Sequence, residues 1–108
     1  MNHVTMRQGD IWLLESPDAK ARPALVLTRQ AALDGGIEGI TIARVTSNIR
    51  SGVTRLPLGV DDGLVRDCVA NFDDMAVVRR KMLTARIGEI DPRRHHELCG
   101  AFRALAEC

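Results

Sequence analysis

The sequence predicts a mainly β fold with one C-terminal helix, an α+β chain whose short antiparallel sheet bends into a small barrel covered by helix on one side. Three observations carry this prediction. Short apolar runs containing β-branched residues recur from residue 11 to residue 90. The segments between them are brief and rich in Gly, Asp, Asn and Ser, with one small helical turn at residues 29–33. Sustained helical spacing occurs at the end of the chain, where Leu98, Ala101, Phe102 and Leu105 form one stripe behind Asp91-Pro92. That dipeptide reads as an N-cap followed by proline at the first helical position.

Taken in order, Arg7-Gln8-Gly9-Asp10 is a turn and residues 11–14 are a first strand, apolar on both faces. Residues 15–21, with Pro17 and Lys20, read as a polar loop. Residues 24–28 are short and apolar with β-branched Val26 and Thr28, and read as a buried second strand. Arg22-Pro23 stands in front of it. Proline drives the preceding residue into extended backbone, which places Arg22 at the mouth of the strand. After the helical turn, Asp34-Gly35-Gly36 ends it, and residues 37–45 hold a third strand with Ile40, Ile42 and Val45. Thr46-Ser47-Asn48 closes that strand. Ser51-Gly52 is a turn, residues 53–58 a fourth strand, and residues 59–63 a second loop. Residues 67–72 and 75–79 read as a fifth and a sixth strand joined by a tight turn at Asp73-Asp74. Residues 81–86 carry no decisive pattern, and residues 87–90 read as a last short strand.

With 108 residues the expectation is one domain over 1–108, with residues 1–5 a disordered end and Met6 an alternative to Met1 as the start. A 45% hydrophobic and 27% charged composition is that of an ordinary soluble globular protein. The net charge of +1 gives no general attraction for polyanions, so any anion-binding face must be local. Charges do segregate: acids at Asp61-Asp62 and Asp73-Asp74, bases between Arg44 and Arg55, at Arg79-Arg80-Lys81 and at Arg93-Arg94. Cys68, Cys99 and Cys108 make an odd set without metal-ligand spacing, which argues for reduced thiols in a cytoplasm. No signal peptide and no apolar run long enough for a membrane span is present, so no membrane association is expected.

The residues with chemical potential stand at strand ends. If the second and third strands are neighbours, Arg22 and Thr46-Ser47-Asn48 meet on related edges. An arginine fork beside a hydroxyl has the elements of a phosphate site. The plain alternatives are a solvated charge for Arg22 and a turn cap for Thr46-Ser47-Asn48. His95 and His96 read as exposed and without function, since adjacent helical residues point apart. Cys68 reads as a buried, inert thiol. No Gly-rich phosphate loop, nucleophile elbow or zinc signature occurs.

Several segments in order, Gly9-Asp10-Ile11-Trp12, Arg22-Pro23-Ala24-Leu25-Val26-Leu27-Thr28, Val45-Thr46-Ser47, Gly63-Leu64 ahead of Asp67-Cys68-Val69, Lys81-Met82-Leu83 and Ile87-Gly88, give the chain a likeness that runs from Arg7 to the end. In these it resembles the MazF/PemK family of toxin endoribonucleases. The resemblance implies a small antiparallel barrel of the CcdB/PemK/MazF type, similar to Src-homology barrels, assembled as a homodimer. It implies sequence-specific cleavage of single-stranded RNA without a metal or other cofactor, and a cognate antitoxin as partner. It places the catalytic arginine on Arg22 and the catalytic threonine on Thr46.

The family chemistry is attack of a ribose 2′-hydroxyl on the neighbouring phosphate, leaving a cyclic phosphate and a free 5′-hydroxyl. Arg22 suits stabilisation of the charged phosphorus centre, and Thr46 can orient the phosphate. Relatives carry a glutamate upstream of the arginine; here residues 16–21 hold only Asp18, so proton removal falls to Asp18, to Glu15 or to the substrate itself. Relatives also carry serine where Cys68 stands, and a proline shortly before the threonine where Arg44 and Val45 stand. Substrate contacts are expected from Asp18, Arg44, Ser47, Asn48 and Arg50, with Arg55 nearby. The aromatic residues are Trp12, Phe72 and Phe102, and Trp12 reads as a packing residue, so bases must be read by hydrogen bonds and arginine planes rather than by stacking. The antitoxin is expected to carry an acidic disordered tail that competes for the same arginines. Two rivals share the fold class. One is a gyrase poison of the CcdB type, which the chain's Ala106-Glu107-Cys108 ending does not resemble. The other is a barrel that binds without catalysis.

Overall fold

A computed structural model describes residues 5–107; the expectations for residues 1–4 and for Cys108 fall outside that range. The chain forms β1 (Asp10–Ser16), β2 (Ala19–Val26), α1 (Gln30–Asp34), β3 (Gly39–Thr46), β4 (Arg55–Leu58), β5 (Cys68–Arg79), β6 (Leu83–Glu89) and α2 (His95–Ala106). Short 3-10 turns lie at Val60–Asp62, Arg80–Met82 and Pro92–Arg94. The strands make one antiparallel sheet in the order β4-β5-β3-β2-β1-β6, curled into a half-barrel with α2 against it. The expected fold class holds; three local expectations do not.

The polar loop expected at residues 15–21 is a hairpin. β1 and β2 extend toward each other until Ser16 pairs with Ala19 across Pro17-Asp18. Among the described residues no non-glycine has positive φ, so the mirror-image turns that suit two-residue hairpins are not used by this pair. The ladder slips by one residue between Leu14 and Ser16 instead, a bulge in which Lys20 and Ala21 of β2 face Glu15 of β1. Arg22 is consequently not at the mouth of β2 but inside it, paired with Leu14.

The fifth and sixth strands expected at residues 67–72 and 75–79 are the single strand β5. Its pairing with β3 jumps from Ala43↔Met75 to Arg44↔Asn71, so Phe72, Asp73 and Asp74 form a wide bulge, not a turn. The backbone does not fold back because Phe72 N–H donates to the Thr54 carbonyl while Asn71 Oδ1 accepts from Asp73 N–H. The undecided residues 81–86 belong mostly to β6, which begins at Leu83 and pairs with β1.

Alternation gives the sheet two apolar faces. Ile11, Leu25, Ala43, Val45, Ala70 and Phe72 face α2, which covers them with buried Leu98 and Ala101. Phe102, expected in the core stripe, is 38% exposed at its margin and meets the Phe72 ring edge-on at 6.2 Å. On the other face Trp12, Ala24, Val26, Ile40 and Ile42 pack with Met6, Leu33 and Leu83. Trp12 is thus a core residue, as expected, and its Nε1–H donates to the buried Asp10 carboxylate at 3.2 Å. That carboxylate also accepts from Arg7 N–H and faces Arg86 at 3.2 Å. Pro57 sits in β4, an edge strand, where a missing N–H costs nothing.

The start of α2 is latched to the β4–β5 connection. Arg94 reaches the Asp62 carboxylate at 3.3 Å, the Pro57 carbonyl at 2.7 Å and Glu97 at 2.9 Å. Asp62 is buried and also accepts from Gly59 N–H. Glycine is obligatory where this connection meets β6: a Cβ at Gly63 (φ +97°) would strike the Ile87 carbonyl, and one at Gly88 the Asp62 carbonyl. Asp91 caps the turn before α2, as expected, accepting from Arg93 N–H at 2.9 Å.

Candidate functional site

Register brings the sequence-predicted residues together. β2 pairs with β3 through Val26↔Ile42, Leu25↔Ala43 and Ala24↔Arg44. Counting that register two residues further sets Arg22 level with Thr46. The ladder to β3 stops at Ala24, so the first half of β2 is bonded on the β1 side only. Pro23 occupies the place where a central strand becomes an edge, and its missing N–H is tolerated there. Arg22 is exposed beyond it and forms no ion pair or side-chain hydrogen bond among the described residues.

Cross-strand partners share a face. One row runs Ala24, Arg44, Asn71, Arg55 across β2, β3, β5 and β4. The next row of the same face holds Arg22, Thr46, Val69 and Pro57. Arg22, Thr46, Arg44 and Arg55 therefore line one side of the sheet, opposite the side covered by α2. The sequence reading found all four and missed Asn71, whose place between Arg44 and Arg55 is a matter of long-range pairing.

The arginines are not equivalent. Arg44 holds Asp74 at 3.2 Å, and Arg55 holds Asp73 at 3.6 Å. Thr54 Oγ1 also donates to Asp73 at 2.8 Å. Both aspartates lie on the β5 bulge. Arg50 lies in the exposed loop after Thr46 and, with Arg55 and Cys68, lines a cleft of about 910 Å³ that reaches Asp62 and Arg94. Arg22 and Thr46 are not among that cleft's lining residues.

Thr46 Oγ1 accepts from Asn48 N–H at 3.1 Å, the turn-capping role the residue types predict. Its hydroxyl hydrogen remains free to donate. Ser47 and Asn48 are exposed, and so is Asp18 in the β1–β2 turn, on the same hairpin as Arg22. Glu15 is exposed opposite the bulge, next to Leu14, the partner of Arg22. Cys68 is buried at 9% exposure and burial pushes its thiol pKa up, as expected of an inert thiol. His96 is exposed, but His95 is half-buried and hydrogen-bonded, contrary to the expectation for it. Among the described residues no three His, Cys, Asp or Glu side chains are grouped to hold a metal ion.

What the chain is similar to agrees with this geometry. The profile of the family described as PemK-like, MazF-like toxin of type II toxin-antitoxin system matches residues 7–106. A curated relative from Mycobacterium tuberculosis, probable endoribonuclease MazF2, is 36% identical over 104 residues, 95% of this chain and 100% of the relative. The solved structure of Mycobacterium tuberculosis toxin MazF-mt6 superposes with a TM-score of 0.79 at 25% identity, covering 88% of this chain and 93% of that one. A mycobacterial endoribonuclease solved in complex with its cognate antitoxin shares the fold, with a TM-score of 0.77 at 19% identity over 92% of each chain.

Proposed function

This chain belongs to the PemK-like, MazF-like toxin family of type II toxin–antitoxin systems, and from that membership we propose how it acts: as a cytoplasmic endoribonuclease that cuts single-stranded RNA at a short sequence, without a cofactor. The observation that supports this reading is an unengaged Arg22 on β2, level with Thr46 on the neighbouring β3 when the β2–β3 register is carried two residues past its last pair.

The RNA supplies its own nucleophile, the 2′-hydroxyl beside the scissile phosphate. As it attacks, negative charge grows on the non-bridging oxygens. Arg22 meets that charge with a planar fork of donors. Because the backbone of β2 is fixed by β1, the point from which the side chain extends is set before substrate arrives. Thr46 adds one hydrogen bond from its free hydroxyl hydrogen, while its lone pair stays with Asn48 N–H. The 2′ proton leaves to Asp18, to Glu15 or to the substrate's own phosphate oxygen. Arg44, Ser47, Asn48 and Arg50 extend the contact surface along the RNA strand.

The partner is a cognate antitoxin, as for the mycobacterial endoribonuclease solved in complex with its own; an acidic disordered tail suits the arginines of this groove. The active form is a homodimer. The apolar first strand that motivated this expectation is largely covered within one copy, Ile11 and Trp12 being buried and Leu13 and Leu14 half-buried. Light scattering at micromolar concentration tests the dimer directly, and a monomer there removes it from the proposal.

The test of the activity is incubation with a long single-stranded RNA in chelator, followed by analysis of the new ends. Discrete fragments with cyclic phosphate and 5′-hydroxyl termini are expected, and none with Arg22→Ala. Intact RNA from the wild-type protein, or equal cleavage by Arg22→Ala, overturns the reading.

A further inference from the structure

Away from the groove, the first half of α2 holds a thiol and an imidazole in line with the side-chain amide of Gln8. Cys99 and His95 stand one helical turn apart, with Sγ 3.7 Å from Nδ1. The other ring nitrogen, Nε2, lies 2.8 Å from Gln8 Oε1. Gln8 is itself pinned: its side-chain NH₂ donates to the Leu27 carbonyl at 2.8 Å, and its backbone N–H to Gln30 Oε1 at 3.0 Å. With the NH₂ group committed to Leu27, the atom turned to His95 is an acceptor. A neutral imidazole must then carry its proton on Nε2 and leave a lone pair on Nδ1. The Cys99 S–H points its proton at that lone pair. A nucleophile, a base and a group that fixes the base's tautomer are the parts an activated thiol needs.

The thiol also has somewhere to receive a reactant. Cys99 is half-buried in the wall of a cleft of about 560 Å³ between α2 and the β2–β3 side of the sheet. Leu27, Leu98 and Phe102 make one part of that wall apolar, and Arg29 and Arg103 stand in its lining. Both guanidiniums are exposed and neither has an ion-pair partner among the described residues. The cleft thus offers a thiol at an apolar wall and two unclaimed cations.

We propose that Cys99 is a nucleophilic thiol, with His95 as its base and Gln8 as the orienting group, and that the cleft takes a low-molecular-weight disulfide bearing carboxylates. The step is thiol–disulfide exchange. The Cys99 proton passes to His95 Nδ1 and the thiolate attacks one sulfur of the disulfide. A new S–S bond forms to Cys99 as the old one breaks. The departing thiolate takes the proton from His95. Cys99 is oxidised to a mixed disulfide and one half of the reactant is reduced to a thiol. Arg29 and Arg103 hold the carboxylates during attack.

The test uses the whole protein and glutathione disulfide at pH 7, with modified peptides identified by mass. Cys99 should acquire the adduct about tenfold faster than N-acetylcysteine under the same conditions, while Cys68 stays unmodified. His95→Ala should remove that advantage, and Gln8→Ala should reduce it; if His95→Ala does not fold, Gln8→Ala decides. Glutathione disulfide should outpace the cationic disulfide cystamine, and Arg29→Ala with Arg103→Ala should abolish that preference. A Cys99 rate equal to N-acetylcysteine, or one unchanged in both His95→Ala and Gln8→Ala, overturns the activated thiol. Faster reaction with cystamine overturns the carboxylate assignment.

Discussion

The two faces of the sheet are built from alternate residues of the same strands: each packs an apolar cluster, and one also carries the polar row from Arg44 to Arg55. In β3, Ala43 and Val45 turn toward α2 and are buried, while Arg44 and Thr46 turn the other way into the groove. In β5, Ala70 and Phe72 pack under the helix, and Asn71 lies between two arginines. In this part of β3 and β5, buried and partly exposed side chains alternate residue by residue, and on the proposed function stability and chemistry fall to different ones. Substitutions at neighbouring positions here should therefore move one property and spare the other.

The sharpest contrast is at Arg22. Arg22→Ala should lower the cleavage rate by about 1,000-fold or more while leaving the melting temperature unchanged, because the side chain is exposed and unpaired. Arg22→Lys should recover little, since a point charge lacks the fork. RNA gels and thermal melts on the same preparations check both halves. The opposite pattern belongs to Phe72, which is 1% exposed. Phe72→Ala should cost about 4 kcal/mol of stability by denaturant titration, yet the folded fraction should still cut RNA. A folded but inactive Phe72→Ala would break the separation of faces. Thr46→Ala should slow cleavage by a margin worth about 3 kcal/mol, with a far smaller loss of stability from its freed turn.

Smaller effects lie at the latch. Arg94→Ala leaves the Asp62 carboxylate, on a residue 5% exposed, without its cation. It should cost about 2 kcal/mol and leave cleavage by the folded protein intact. The smallest change is in acid. The Arg93 guanidinium and backbone N–H hold the Asp91 carboxyl down from 3.8 to about 2. Arg94 likewise holds Glu97 below its ordinary value. Both groups are depressed in the folded chain, so their contribution is present above the ordinary carboxylate range and is lost as pH falls through the lowered values. Carboxyl titration by NMR should find Asp91 near the lower figure, and Arg93→Ala should return it toward 3.8.

Much of this was legible in the sequence because it is local. The helix of α2 shows in its stripe and its Asp91-Pro92 start, and the buried strands show in their β-branched runs. Arg22 and Thr46 stand out in the sequence through resemblance to a family and through their places beside strand signals, and the structure sets them on one side of the sheet. What was not legible depends on partners distant in sequence. The apolar run alone marks residues 24–28 as the strand and leaves Arg22-Pro23 at its mouth, and only the pairing shows β2 running on past its neighbour. The division of β5 has a similar cause. Before the bulge the even-numbered Ala70 and Phe72 face α2; after it the odd-numbered Met75 does, and Ala76 and Val78 join the opposite cluster. The bulge reverses the phase of the alternation, and a reversal of phase looks like two strands with a turn between them. His95 was misjudged because its partner, Gln8, lies at the other end of the chain.

The aspartates on that bulge have a consequence for the groove. Arg44 and Arg55 come to any ligand already neutralised by Asp74 and Asp73. In polyelectrolyte terms the protein carries its own counterions at those two positions. For the proposed RNA substrate, replacing a carboxylate there with a phosphate exchanges one anion for another, so little attraction is gained and the fit of the replacement governs the outcome. Arg22, which has no such companion, supplies the pull that every RNA feels equally. General attraction and discrimination are thus assigned to different arginines of one groove.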